Sequence, residues 1–308
     1  MIALLGHQAV EGRFADAMKR NQMHHAWLLH GVRGIGKFVL AEKLAAMLMC
    51  ENHSACGECH ACQMLHAGSH PDLISVGLEE KKRDISIAQV REMLGFLSLS
   101  GAESENRVVI LDDADRLNNQ AANALLKGLE EPSPGSLLLM VCADAMKLPA
   151  TVRSRCLMQH CSPLKSDDVR TVLAPRLDGG TIDLAVKLAD GCPGSVSCLE
   201  DESVARALAE WQRLVEDLGE ADIGKVDNWC RSNVAKVPHE LIIRALLQPV
   251  YLRLQEHHKS GFEALETIHG AVKGCLRWPG EVIRQSLRAA PTLLSNVLEL
   301  RSALRNSS

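Results

Sequence analysis

The sequence predicts an α/β domain built on a mainly parallel sheet, followed by helices alone. Three observations predict it. Up to about residue 163, short apolar runs alternate with stretches of helical periodicity, the pattern of strands joined by crossover helices. After "SPLKSDD" (162–168) the strand signals stop and only the 3.6-residue period remains. Between the first run and the first long helix lies "GVRGIGKF" (Gly31–Phe38), and strand, glycine loop and helix in that order form the arrangement that cradles phosphates.

Taken in order, the strand-like runs are "AWLLH" (Ala26–His30), "DLISV" (Asp72–Val76), "RVVILDD" (Arg107–Asp113) and "SLLLMVCA" (Ser136–Ala143). The intervening helical stretches are "KFVLAEKLAAMLM", "IAQVREMLGFLS" and "NQAANALLKGLEE". Beyond residue 163 come "DDVRTVLAPRL", which Ser166 or Asp167 can cap, then "IDLAVKLAD" and "VARALAEWQRLVEDL". From about Arg206 everything reads as helix, with Pro238, Pro249, Pro279 and Pro291 as punctuation. Stripes such as Leu241, Ala245, Leu246 and Tyr251, Leu252 are read as sides turned to a core. Domain boundaries are expected at 1–163, 164–205 and 206–308.

Composition narrows the function. A net charge of −4 argues against a protein that coats nucleic acid through its own phosphate contacts. The C-terminal region carries 14 Lys and Arg against 12 Asp and Glu, so it offers no broad basic face either. One Tyr, four Phe and four Trp are too few for a platform that stacks single strands. The N-terminus meets charged residues too early for a secretory segment, and no apolar run approaches the roughly 18 residues that span a bilayer. A cytoplasmic location and no membrane partner are therefore expected, and the eleven cysteines read as free thiols or metal ligands.

Gly31, Gly36 and Lys37 occupy the positions of G-x-x-x-x-G-K-[ST], with Gly34 between them. The last position holds Phe38, whose ring cannot ligate Mg²⁺ as a hydroxyl does, so the developing charge on a γ-phosphate lacks its main stabiliser. The same spacing also suits a turn that only packs strand on helix. "RVVILDDAD" resembles the second half of a nucleotide site: Asp112 stands where a Mg²⁺ partner belongs and Asp113 where a water-activating Glu is usual. Both acids equally suit loop solvation and capping of the helix beginning near Asn118, and spacing does not separate these readings.

Cys50, Cys56, Cys59 and Cys62 in "CENHSACGECHAC" give C-x5-C-x2-C-x2-C. Four thiolates within thirteen residues can close a tetrahedral Zn²⁺ site, with Gly57 permitting the turn between ligands. A redox dithiol competes as a reading, although no thioredoxin-like context surrounds these cysteines. His53, His60, His66 and His70 lie nearby but are not needed to fill the shell.

"NQAANALLKGLEEP" (Asn119–Pro132) and "LLLMVCADAMKLPATVRSRC" (Leu137–Cys156) closely resemble the clamp-loader branch of the AAA+ ATPases, with its "AANALLK-LEEP" helix and its Ser-Arg-Cys motif. "GHQAV" from Gly6 is similar to the segment beside the adenine pocket in that family. The resemblance spans most of residues 1–200. It implies a RecA-like AAA+ domain over 1–163 with a zinc module at 50–62, a small helical lid over 164–205 and a helical oligomerising collar over 206–308.

It also implies that Arg155 of Ser154-Arg155-Cys156 acts in trans, as an arginine finger on a neighbouring subunit's ATP. Three departures accompany that motif: Phe38 in the loop, Cys142-Ala143 where active members carry Thr or Ser, and Gly194 where they carry a lid arginine. The chain then resembles a non-motor subunit of the bacterial DNA polymerase III clamp loader, with Gly31, Gly34, Gly36, Lys37, Phe38, Asp112 and Asp113 as a vestigial nucleotide site where ATP and Mg²⁺ are not bound productively. Implied partners are clamp-loader subunits of gamma/tau and delta types and, through the complex, the sliding clamp and primed DNA. The alternative is a working ATPase subunit of gamma/tau type. A small-molecule kinase with the same loop leaves Ser-Arg-Cys and the long helical region unexplained.

Overall fold

The computed structural model describes residues 4–99, 101–256 and 262–305, with side chains at all of these except 255, 256 and 262–265. The chain divides into two compact units, Met1–Val172 with Gly191–Gly194, and Leu173–Asp190 with Ser195–Ser308.

The first unit is organised by five parallel strands: β1 (Ala26–His30), β2 (Leu73–Val76), β3 (Arg107–Leu111), β4 (Ser136–Cys142) and β5 (Leu157–His160). Their order is β2-β3-β4-β1-β5. The chain leaves β1 for the far edge at β2, walks back through β3 and β4, and only then adds β5 on the other side of β1. In open parallel sheets of this kind, ligand crevices form at the carboxyl ends of strands where the order reverses. The glycine loop begins at that end of β1.

β1, β3 and β4 are buried and almost wholly apolar because helices cover both faces. On one face α4 (Ile87–Leu97) and α5 (Asn119–Glu130) lay Val90, Met93, Ala121, Leu125 and Leu129 against Ala26, Leu28, Val109, Leu111 and Met140. The alternate residues of β1, Trp27 and Leu29, are buried on the opposite face, where Phe14 of α1 (Gln8–Lys19) meets the Trp27 ring edge-on at 5.0 Å. Helix α2 (Lys37–Met49) packs on β1, β3 and β4, and α3 (His60–His66) packs on α2. Capping fixes two helix starts. Ser86 and Gln89 form a reciprocal capping box on α4, and Asn118 Oδ1 accepts from Ala121 N–H at 2.9 Å on α5. Helix α5 is thus capped by Asn118 itself, not by Asp112 or Asp113.

β5 has no counterpart among the expected strands. It is an edge strand of four residues whose pattern runs against hydropathy, with Leu157 and Met158 exposed and Gln159 buried, held by a hydrogen bond from Arg13 at 2.9 Å. After the short α6 (Ala150–Arg153) and β5, α7 (Ser166–Leu173) takes Ser166 as its first helical residue, so the expected cap lies inside the helix.

The second unit contains α8 (Gly179–Ala189), α9 (Glu202–Val215), α10 (Ile223–Asn233), α11 (His239–Glu256), α12 (Phe262–Gln285) and α13 (Ala289–Arg305). Its core is organised by tryptophans that bury their rings and satisfy their N–H groups. Trp211 and Trp229 lie 4.4 Å apart, donating to the carbonyls of Ile242 and Ala207, while Trp278 donates to Thr292 Oγ1. Two expectations are corrected here. Pro249 and Pro279 do not end helices but lie within α11 and α12, where the buried neighbours Val250 and Trp278 anchor the chain, whereas Pro291 falls in the first turn of α13 and Pro238 just before α11, both at helix starts. Leu241, Ala245 and Leu246 are buried as expected, but Tyr251 and Leu252 are exposed, because the fully buried stretch of α11 ends at Val250; Arg253 beyond them pairs with Asp217 at 2.8 Å. Among the described residues no helix is long and apolar enough to cross a membrane.

Asp72 is a buried carboxylate of the first unit. Its side chain is fully buried just before β2 and accepts from the N–H groups of Ala102, Glu103 and Ser104 at 2.7, 2.8 and 2.9 Å, with the Arg107 guanidinium at 3.4 Å. Burial works against the carboxylate, but the backbone donors and Arg107 outweigh it and hold its pKa below the usual value. Its stabilising contribution is therefore complete above the pKa of an unfolded aspartate, about 3.9, and is lost as pH falls through the lower folded value. Asp72→Asn is expected to cost about 2 kcal/mol in urea unfolding at pH 7, with the difference from the parent shrinking at acid pH.

Candidate functional site

The glycine loop is shaped by backbone approaching backbone. Gly31 has φ +150°, and a Cβ there would lie 2.2 Å from the carbonyl oxygen of Cys161, so no side chain fits. Gly36, at φ +89°, caps α2 in the left-handed conformation. Lys37 then turns its ammonium back into the loop and donates to the carbonyls of Gly31 and Val32 at 2.7 and 2.6 Å. It is 6% exposed, and burial lowers its pKa. His7 completes the wall by donating from Nε2 to the Ile35 carbonyl at 2.8 Å. Phe38, the second residue of α2, is half-buried.

The acids after β3 face this loop. Burial raises the pKa of Asp112, whose Oδ1 accepts the Asp113 N–H at 2.8 Å. Asp113 itself is left-handed at φ +47° and binds Arg33 of the loop at 2.7 Å, tying the two halves of the site together. Cys142 ends β4 directly beside His30 of β1, and burial pushes its thiol up to about 12. Ala143 donates its N–H to Asp115 Oδ1 at 3.3 Å. Gly194 lies against the loop: its N–H donates to the Gly34 carbonyl at 2.8 Å, and a Cβ there would come within 3.0 Å of Gly34 Cα. The loop residues, Asp112, Asp113, Cys142-Ala143 and Gly194 are thus brought to one end of the sheet.

Arg155 is not among them. It precedes β5, whereas the loop follows β1, and the two strands run parallel. The four residues of β5 span about 13 Å, so the guanidinium lies at the amino edge of the sheet, away from its own loop. Its side chain is about one-third exposed, donates to the Thr151 carbonyl at 2.9 Å and pairs with Glu130 at 2.7 Å.

The four cysteines converge. Sγ separations are 3.6 Å for Cys50–Cys56, 3.9 Å for Cys59–Cys50 and 4.0 Å for Cys56–Cys62, and all four sulfurs lie within 4.8 Å of one another. A zinc ion bound by four sulfurs at about 2.3 Å spaces them about 3.8 Å apart, whereas a disulfide brings sulfurs to about 2.05 Å. The geometry fits a tetrahedral metal. Left-handed residues make the turns, Gly57 at φ +81° and also His53 and Ala55 at +51°. In the metal-free cluster the thiols diverge: burial pushes Cys50 up, but hydrogen bonds from the backbone of Cys56, Ser54 and Asn52 outweigh it and bring Cys50 down to about 5, whereas burial pushes Cys62 up to about 12, so Cys62 must give up its proton to bind a metal.

Comparison with known proteins agrees with this arrangement. Residues 6–165 match the family described as DNA polymerase III, delta subunit. The chain belongs to that family, on its delta-prime clamp-loader side. It is 46% identical over 145 residues to the DNA polymerase III subunit delta′ of Pseudomonas aeruginosa, covering 46% of this chain and 44% of that protein. With the delta′ subunit of Escherichia coli K12 it shares 33% over 181 residues, 57% of this chain and 54% of that one. The matched segment spans about half the length of these delta′ relatives. The tau/gamma subunit of Haemophilus influenzae is 31% identical over 212 residues, 66% of this chain and 30% of that protein. A gamma subunit-related protein of Thermotoga maritima has a similar fold, with a TM-score of 0.51 at 17% identity over 94% of this chain and 99% of that one. The fold is that of the AAA+ proteins.

Three contacts of this delta′-family chain escape sequence reading: Arg33 on Asp113, His7 on the loop carbonyl, and Glu130 on Arg155. Arg33 sits inside the motif at a variable position, and Glu130 is visible only as the first acid of "LEEP"; neither spacing says which group it meets. The cysteine geometry generates a direct test. Purified protein is expected to carry about one zinc per chain with four-sulfur coordination in its absorption-edge spectrum, and Cys62→Ser to lower both zinc content and melting temperature. A fully folded, metal-free chain with an unchanged melting temperature contradicts the assignment.

Proposed function

We propose that this chain is a non-motor subunit of a DNA polymerase III clamp loader, whose own glycine loop does not drive ATP hydrolysis and whose Arg155 completes the ATP site of an adjacent motor subunit. The observation that carries this reading is the position of Arg155, partly exposed at the amino edge of the sheet and out of reach of the loop at the carboxyl edge.

Chemistry supports the idle loop. Phosphoryl transfer depends on positioning and on neutralising charge, mostly through Mg²⁺ and cationic side chains. Phe38 offers no ligand for Mg²⁺. The buried thiol of Cys142 stays protonated and is a weak hydrogen-bond donor where a hydroxyl is expected. Gly194 has no side chain, and its contact with Gly34 leaves no space for one without moving the loop. Lys37 already spends two donors on loop carbonyls.

The partners that fit are subunits of gamma/tau and delta types, with the sliding clamp and primed DNA engaged through the assembly. The proposal extends to a lid over 164–205, a collar over 206–308 and a structural Zn²⁺ on Cys50, Cys56, Cys59 and Cys62. When bound, that ion cross-links the residues after α2 and takes no part in phosphoryl chemistry. A second reading, a working motor subunit, draws on the longer stretch shared with tau/gamma. Phe38, Cys142-Ala143 and Gly194 weigh against it together.

The purified chain is expected to turn over no ATP above background, and Phe38→Thr alone to leave that unchanged; robust hydrolysis by either protein favours the motor reading. In an assembly reconstituted with gamma/tau- and delta-type subunits, Arg155→Ala is expected to slow ATP-driven clamp loading by up to roughly 10³-fold at the site it serves, with an unaltered melting curve. Parent-like loading by that variant removes the trans role.

A further inference from the structure

Arg155 is paired with Glu130, the last residue of α5. The helix carbonyls at that end present negative potential, so a carboxylate there opposes the helix dipole. A residue chosen for helix stability at that position would be basic. Glu130 is also half exposed, and its Oε1 meets Arg155 Nη2 at 2.7 Å across the gap between α5 and the turn after α6.

Arg155 has a second anchor besides this partner. Nη1 is held separately by the carbonyl of Thr151, four residues earlier, at 2.9 Å, a local bond that is indifferent to what happens at Nη2. What Glu130 adds is a negative charge on the nitrogen that remains open to a neighbour. A guanidinium binds carboxylate and phosphate through the same fork of N–H groups, so the two anions compete.

Resting on the trans role proposed for Arg155, we propose that Glu130 is a counter-anion latch: the neighbouring subunit's terminal phosphate must displace its carboxylate to engage Arg155. The latch raises the ATP concentration at which the neighbour is engaged. It leaves the rate of the engaged complex unchanged, because Glu130 is then unpaired and Arg155 is still held by Thr151. The exchange is cheap. Exposed ion pairs are worth a factor of roughly two to five, so the latch tunes engagement without blocking it.

The test uses the reconstituted loader with clamp and primed DNA, reading loading rate against ATP concentration for the parent, Glu130→Gln, Glu130→Ala and Arg155→Ala. Gln keeps a hydrogen-bond acceptor and loses the charge, which separates competition from positioning. The expected result is a two- to five-fold lower half-saturating ATP concentration in both Glu130 variants with the maximal rate unchanged. The shift should shrink at high salt, where the parent ion pair is screened. If Gln behaves as the parent while Ala lowers the maximal rate, Glu130 merely positions Arg155 and the latch is overturned; if both match the parent, Glu130 has no role. An unimpaired Arg155→Ala overturns the trans role and the latch with it, whereas an impaired one beside parent-like Glu130 variants overturns the latch alone.

Discussion

The first unit depends on the close approach of three backbone segments at the carboxyl end of its sheet. Cys161, following β5, places its carbonyl where a Cβ of residue 31 would stand, and Gly194 sets its amide on the carbonyl of Gly34. Lys37 then gathers the carbonyls of Gly31 and Val32 under one buried charge. In a nucleotide-driven site much of this polar work is done by phosphates, a metal ion and side-chain hydroxyls. In the role proposed for this chain, its own main chain does it. Gly31 gives the clearance that the Cys161 carbonyl needs, and Gly194 the clearance that lets the returning 191–194 segment meet Gly34.

That constraint explains why so much of the fold is legible in the sequence and why particular parts are not. β1, β3 and β4 read correctly because strands buried on both faces must be apolar throughout, and α2 and α5 because their ends are set by Gly36 and Asn118. β5 does not read, because an edge strand of four residues can expose Leu157 and Met158 and bury Gln159 when a single Arg13 hydrogen bond satisfies the amide. Pro249 and Pro279 of the helical unit mislead for a related reason. A local signal to break the helix loses to the burial of Val250 and Trp278 beside it.

The site divides along the same line. Residues fixed by a motif, such as Gly31, Lys37, Asp112 and the four cysteines, fall where their spacing puts them, since spacing on a strand, loop or helix is geometry. Contacts that join distant segments are silent until the chain is folded: Arg33 to Asp113, His7 to Ile35 and Glu130 to Arg155 bridge 80, 28 and 25 positions respectively. The separation of Arg155 from its own loop belongs to this second class. It follows from the parallel pairing of β5 with β1, which sends the residue before one strand and the loop after the other to opposite edges.

The central claim is that this loop is closed by the chain itself and no longer organises a metal–nucleotide complex. Magnesium dependence of nucleotide affinity tests this most directly, because a functioning loop needs the ion and Phe38 cannot hold it. Titration of the purified chain with ATP by calorimetry, with Mg²⁺ and with a chelator, is predicted to give the same weak affinity in both conditions. A tenfold or greater tightening by Mg²⁺ would contradict the account, since it requires a metal site that Phe38, Asp112 and Asp113 are held here not to form.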